Sequence, residues 1–98
     1  MNELTFDSAT NIIRLSGELS FSTVNQVLKQ SEILFEPIVD LDIDLAEVNR
    51  SDSAGLALLV HWIRFAKRKN KKIVFHNIPA QMLAIADASG LDELLPVQ

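Results

Sequence analysis

The sequence predicts an α/β domain, a mixed sheet of about four to five strands with helices packed on it. Three observations carry that expectation. Val39, Leu41, Ile43 and Leu45 alternate with Asp40, Asp42 and Asp44, the period of two expected of a strand with one wet face. The stretch Asn49 to Asn70 runs from a polar turn, Asp52-Ser53, through a long apolar segment into Arg64, Lys67, Arg68 and Lys69, so helix start and stop signals agree. Along the whole chain the order reads strand, strand, helix, strand, helix, strand, helix, which argues for parallel strands joined by crossover helices.

Taken in order, Leu4 and Phe6, a turn at Asp7 to Asn11, and Ile12 to Leu15 read as an N-terminal hairpin. Gly17 is expected to break the second strand, with Glu18 to Phe21 as a link. Ser22 or Thr23 then caps a helix whose inner face carries Val24, Val27, Leu28, Ile33 and Leu34, with Lys29 and Glu32 outside. Pro37 ends it and opens the alternating strand, Ile38 to Leu45. Three aspartates on one face of a strand repel one another; they read as a wet face or as oxygen ligands for a metal, although no glycine-containing calcium loop follows.

The central helix is apolar on two sides. Leu56, Leu59, Val60, Ile63 and Ala66 form one stripe, and Ala54, Leu58, Trp62 and Phe65 a second, with His61 between them. Such a helix is either sandwiched inside the domain or offered to a partner. Lys72 to His76 is a further strand, Asn77 to Pro79 a turn, and Ala80 to Ser89 a helix with Met82, Leu83, Ile85 and Ala86 inward and Gly90 just past its end. Leu91, Leu94 and Leu95 are expected to continue the core until Pro96. No repeat or linker divides the chain, so residues 1–98 are expected to form a single domain.

Composition narrows the function. The 98 residues are 48% hydrophobic and 22% charged, a globular balance, and the net charge of −4 argues against general nucleic-acid binding. The basic cluster from Lys67 to Lys72 reads as a solvated helix end or as a phosphate or lipid-headgroup site. There is no cysteine, hence no disulfide and no thiolate metal site. The start of the chain lacks a secretory signal pattern, and the longest apolar run, Gly55 to Val60, is far short of the roughly 20 residues of a membrane span, so a soluble cytoplasmic protein without direct membrane insertion is expected. No nucleophile elbow, phosphate loop or zinc motif is present, and a helix separates Ser53 from His61 by about 12 Å. A binding protein with no catalytic residues, metal or cofactor is therefore expected.

The candidate site is the turn into the central helix. Ser53 can cap the helix, make an interface contact, or accept a phosphate stabilised by the helix N-terminus. Gly55, lacking Cβ, would let another backbone approach. Asp52, Ser53, Ala54, Gly55, Leu58, Trp62 and Phe65 are the expected partner-binding residues, with Trp62 and Phe65 as aromatic anchors.

The order and spacing of Asp44-Leu45-Ala46-Glu47-Val48, Asp52-Ser53-Ala54-Gly55-Leu56 and Ser89-Gly90-Leu91 resemble the STAS domain, named for sulfate transporters and anti-sigma-factor antagonists. Within that family, Leu56 to His61, the basic helix end and Leu94-Leu95-Pro96 look most like the small STAS subunit of Mla phospholipid-transport ABC systems. That resemblance implies a cytoplasmic STAS-like domain peripheral to the inner membrane, partnered with an MlaF-type ATPase subunit and its permease. The other branch of the family implies an anti-sigma factor kinase as partner, with Ser53 at the position of the phosphorylated serine.

Overall fold

Alternation of Leu4 and Phe6 with exposed Glu3 and Thr5 builds β1 (Glu3–Asp7), which the turn at Asn11 returns antiparallel into β2 (Ile12–Leu19). Asn11 takes a positive φ of 59°, a conformation asparagine tolerates better than most residues, and Asp7 Oδ1 accepts the Ala9 N–H at 3.0 Å. The computed structural model describes residues 2–97. The chain continues through α1 (Val24–Leu34), β3 (Asp40–Ser51), α2 (Ser53–Arg68), β4 (Lys72–His76), α3 (Ala80–Ala88) and a single 3₁₀ turn, Asp92–Leu94.

The four strands lie in the order β1-β2-β3-β4, with β2, β3 and β4 parallel. Parallel neighbours joined in sequence by crossovers of one hand place every helix on the same face. Ile13, Leu15, Leu41, Ile43, Leu45 and Phe75 fill that face and are fully buried beneath α1 and α2, with Met82 and Ala86 of α3 joining the same core. The opposite face is wet, which accounts for the aspartates of β3. Asp42 Oδ1 lies 3.1 Å from His76 Nε2, and Asp44 Oδ1 accepts the Ala46 N–H at 2.9 Å and the Asn77 amide at 3.0 Å.

Partial burial acts to raise the pKa of Asp44, but the Asn77 amide, the Ala46 N–H and the positive charges of Arg14 and His76 outweigh it and hold the carboxyl below its usual range. Asp7 is lowered as well, chiefly by the Ala9 N–H and then by Thr10. A carboxylate whose pKa is depressed by folding contributes stability above its unfolded value, near pH 4, and loses it as pH falls through the folded value. The urea midpoint is therefore expected to fall between about pH 4 and pH 2, and to fall less in Asp44→Asn than in the wild type.

Several elements differ from the sequence reading. Gly17 does not end β2; with φ at 92° it sits within a strand that runs on to Leu19. β3 likewise passes Leu45 and reaches Ser51. Its register against β2 slips twice, from Arg14↔Asp44 to Ser16↔Glu47 and from Gly17↔Val48 to Glu18↔Arg50. Two bulges convert the alternation into burial of Leu45, Val48 and Ser51, so a test for period two fails although the strand persists. Ile33, Leu83 and Leu94, expected inside, are exposed. Thr23 does not cap α1 with its side chain: its Oγ1 instead accepts the Ser20 N–H at 2.9 Å and donates to the Glu18 carbonyl at 2.8 Å.

Two ties fasten flanking segments of the chain around β4. Lys71 Nζ donates to the carbonyls of Glu36 and Ile38, at 2.9 and 2.8 Å, clasping the α1–β3 link. The Phe75 N–H donates to the Pro96 carbonyl at 2.8 Å, and Val97 bridges to Phe75 at the outer edge of β4. Gly90, at φ 70°, lets the Leu91 N–H reach back to the Ala86 carbonyl at 2.8 Å and terminate α3. Among the described residues no helix is long and apolar enough to cross a membrane.

Candidate partner-binding site

The turn from β3 into α2 is organised by Asp52. Its backbone N–H donates to the Leu19 carbonyl at 3.1 Å, while its Oδ1 accepts the Ala54 N–H at 2.8 Å and caps the helix. A longer contact, 3.4 Å from the Phe21 N–H to Oδ2, ties the same carboxylate to the loop before α1. One side chain thus fixes the start of α2 relative to the start of α1.

Ser53 is the first residue of α2 and is exposed. Capping, expected of Ser53 on sequence grounds, falls to Asp52 alone. Among the hydrogen bonds of the described residues none involves the Ser53 hydroxyl, which leaves it free to contact another molecule. Gly55 is buried, and a Cβ there would lie 3.1 Å from Leu19 Cβ, 3.2 Å from Met82 Cε and 3.3 Å from the Leu19 carbonyl. Its bare backbone therefore serves the packing of α2 onto β2 and α3, not the approach of a second chain.

The second apolar stripe of α2 is covered by α1. Trp62 is 1% exposed, its indole N–H donates to Ser31 Oγ at 2.9 Å, and its ring lies 5.2 Å from that of Phe35. Ser31 Oγ in turn donates to the Leu28 carbonyl at 2.7 Å, so this buried polar chain is fully partnered. Phe65 is half-buried in the same seam, 6.3 Å from Phe35. Of the two alternatives for this stripe, burial by a neighbouring helix holds at Trp62: α1 covers it, so in the free chain it is a core residue and not an aromatic anchor presented to a partner. Leu58 and Ala54 are buried too, but they form the floor of an open groove.

That groove, of about 300 Å³, runs between the N-terminal halves of α1 and α2. Val24 and Leu28 form one wall, Ala57 and His61 the other, and Phe21, 75% exposed, stands at its mouth. Sequence reading placed Phe21 in a link and missed it, because a lone aromatic in Ser20-Phe21-Ser22-Thr23 belongs to no periodic pattern. An aromatic this exposed in so short a loop is nonetheless a signal. The structure thus sets Ser53, next to the capping Asp52, one residue before Ala54 at the floor of an apolar groove on the helical layer.

The fold and this turn can be set beside known proteins. A family profile described as "Mlab, STAS domain" matches residues 2–96. The chain belongs to the STAS-domain family. Among curated relatives, this STAS chain is 29% identical over 94 residues to the intermembrane phospholipid transport system binding protein MlaB of Escherichia coli K12, covering 95% of each chain. It is 36% identical over 84 residues to the protein of that name from Haemophilus influenzae, covering 81% of this chain and 79% of the relative. The solved structure of the anti-sigma factor antagonist SpoIIAA in its unphosphorylated form shares the STAS fold with a TM-score of 0.72 at 21% identity, covering 100% of this chain and 88% of that one.

Proposed function

We propose that this STAS chain is the non-catalytic cytoplasmic subunit that binds and supports the ATPase of an Mla-type phospholipid-transport ABC transporter, the class that maintains outer-membrane lipid asymmetry. The observation that carries the reading is its likeness, over nearly its whole length, to proteins named as MlaB binding proteins of intermembrane phospholipid transport. The exposed Ser53 and the groove beside it supply a docking surface of suitable chemistry: a free hydroxyl next to apolar walls that an incoming side chain can fill. The subunit sits at the inner membrane only through this complex.

A second reading is favoured by the same hydroxyl. A serine at the first position of a long helix, exposed and unpartnered, is open to a kinase, and a phosphate there would add about 1.5 to 2 negative charges beside Asp52. In that reading Ser53 switches an anti-sigma-factor antagonist on and off its partner kinase. Affinity isolation of the tagged chain from its native cell, beside a Ser53→Glu variant, separates the two. Recovery of an ABC ATPase and permease by wild type and their loss with Ser53→Glu is the expected result. Recovery of an anti-sigma factor kinase, with phosphate on Ser53, would overturn the transporter reading.

A further inference from the structure

We propose that the partner segment seated along α2 is apolar where it meets Phe21, Val24 and Ala57, and acidic where it meets Arg64 and Arg68. The inference rests on the docking reading above and extends it to the chemistry of the partner. Ser53, Ala57, His61, Arg64 and Arg68 are all exposed, and their spacing of three and four residues sets them in one line along the helix. With 16 residues, α2 carries that line for about 24 Å. Its character changes steadily from a hydroxyl and a methyl at the groove, through an imidazole, to two guanidinium groups.

The positive end is uncommitted within the chain. Six of the nine lysines and arginines fall between Arg64 and Lys72 in a protein whose net charge is −4. The ion pairs of the described residues are Arg14 with Asp7 and His76 with Asp42, so neither Arg64 nor Arg68 takes part in one. Lys71 shows the contrast, since the Glu36 and Ile38 carbonyls engage it. Lys67 and Arg68 stand in the last turn and complement the helix dipole, a weak claim that leaves the exposed Arg68 guanidinium open to a partner. Arg64 lies a turn earlier, on the line toward the groove. Glu32 of α1 lies in the seam beside His61 and forms no ion pair among the described residues. Guanidinium groups pair with carboxylates and phosphates alike through paired hydrogen bonds, and on a protein segment docked along α2 the matching groups are Asp or Glu.

The test uses the full chain and the purified ATPase subunit of the transporter from the same cell, with association followed by biolayer interferometry. Arg64→Glu/Arg68→Glu is expected to weaken binding roughly 10-fold or more at about 50 mM salt, mainly through slower association, and to approach wild type near 500 mM. Arg64→Lys/Arg68→Lys keeps the charge but loses the paired hydrogen bonds, and is expected to weaken binding by less than the reversal does. Both positions are exposed, and an unchanged melting curve confirms that each variant folds. Wild-type affinity in the charge-reversed variant would overturn the acidic partner while leaving the docking reading intact. Absence of binding by the wild type would remove the docking reading and this inference with it. Two further results would also overturn it: self-association of the wild-type chain that the reversal abolishes, or binding to phosphatidylglycerol vesicles that the reversal abolishes without any change in ATPase affinity.

Discussion

Replacing Trp62 with alanine is expected to destabilise the fold by about 4 kcal/mol, measured as a shift in the urea unfolding curve. The indole is fully buried, its ring packs against Phe35, and its N–H is the donor to Ser31. Truncation opens a cavity between α1 and α2 and strips Ser31 Oγ of that donor. A domain of this kind has about 5–15 kcal/mol in total, so the variant retains a folded population only under mild conditions. Ser31→Ala is the complementary change. It leaves the buried indole N–H without an acceptor and is expected to cost about 1–3 kcal/mol, and the double variant should cost less than the sum because both remove one contact. A Trp62→Ala chain of wild-type stability that no longer docked would restore the tryptophan to the role of partner anchor.

The largest effect on association is expected at Phe21. If the proposed docking onto a transporter ATPase holds, Phe21→Asp, which places a carboxylate at the mouth of the apolar groove, should weaken that binding by about 100-fold, near 2.7 kcal/mol, as expected when an aromatic anchor is replaced by a charge. Stability should hardly change, because the ring is already 75% exposed in the free chain. The pairing of these two aromatics is what makes the test sharp: one is expected to govern folding and the other docking. Equal affinity of Phe21→Asp and wild type, measured by titration of the purified ATPase, would remove the groove from the interface.

Much of the fold was legible because local signals and global topology agree. The capping aspartate, the apolar stripes and the basic last turn of α2 each mark the same helix, and Leu41, Ile43 and Leu45 mark a strand with one buried face. The continuation of β3 to Ser51 was not legible, since bulges erase the very period by which strands are recognised. Nor was the fate of the second stripe on α2. Periodicity gives two apolar faces but not which neighbour covers one of them; that depends on Ser31, a polar residue whose value lies only in the indole opposite it. At the candidate site the turn itself was legible in Asp52 and Ser53, but the division of labour was not. Either side chain has the chemistry to cap, and only the backbone angles at Asp52 decide between them.

The single tryptophan gives the chain a built-in optical gauge. Its indole lies dry and hydrogen-bonded in the seam immediately below the groove, with His61 lining both spaces. Emission from the folded protein should be blue-shifted and shift to longer wavelength on unfolding, without any introduced label. Any ligand that wedges α1 from α2 would let water reach the ring and move the emission in the same direction, whereas one that merely fills the groove would leave it in place. A fluorescence titration of the unmodified chain can therefore tell whether docking is a rigid fit or pries the two helices apart.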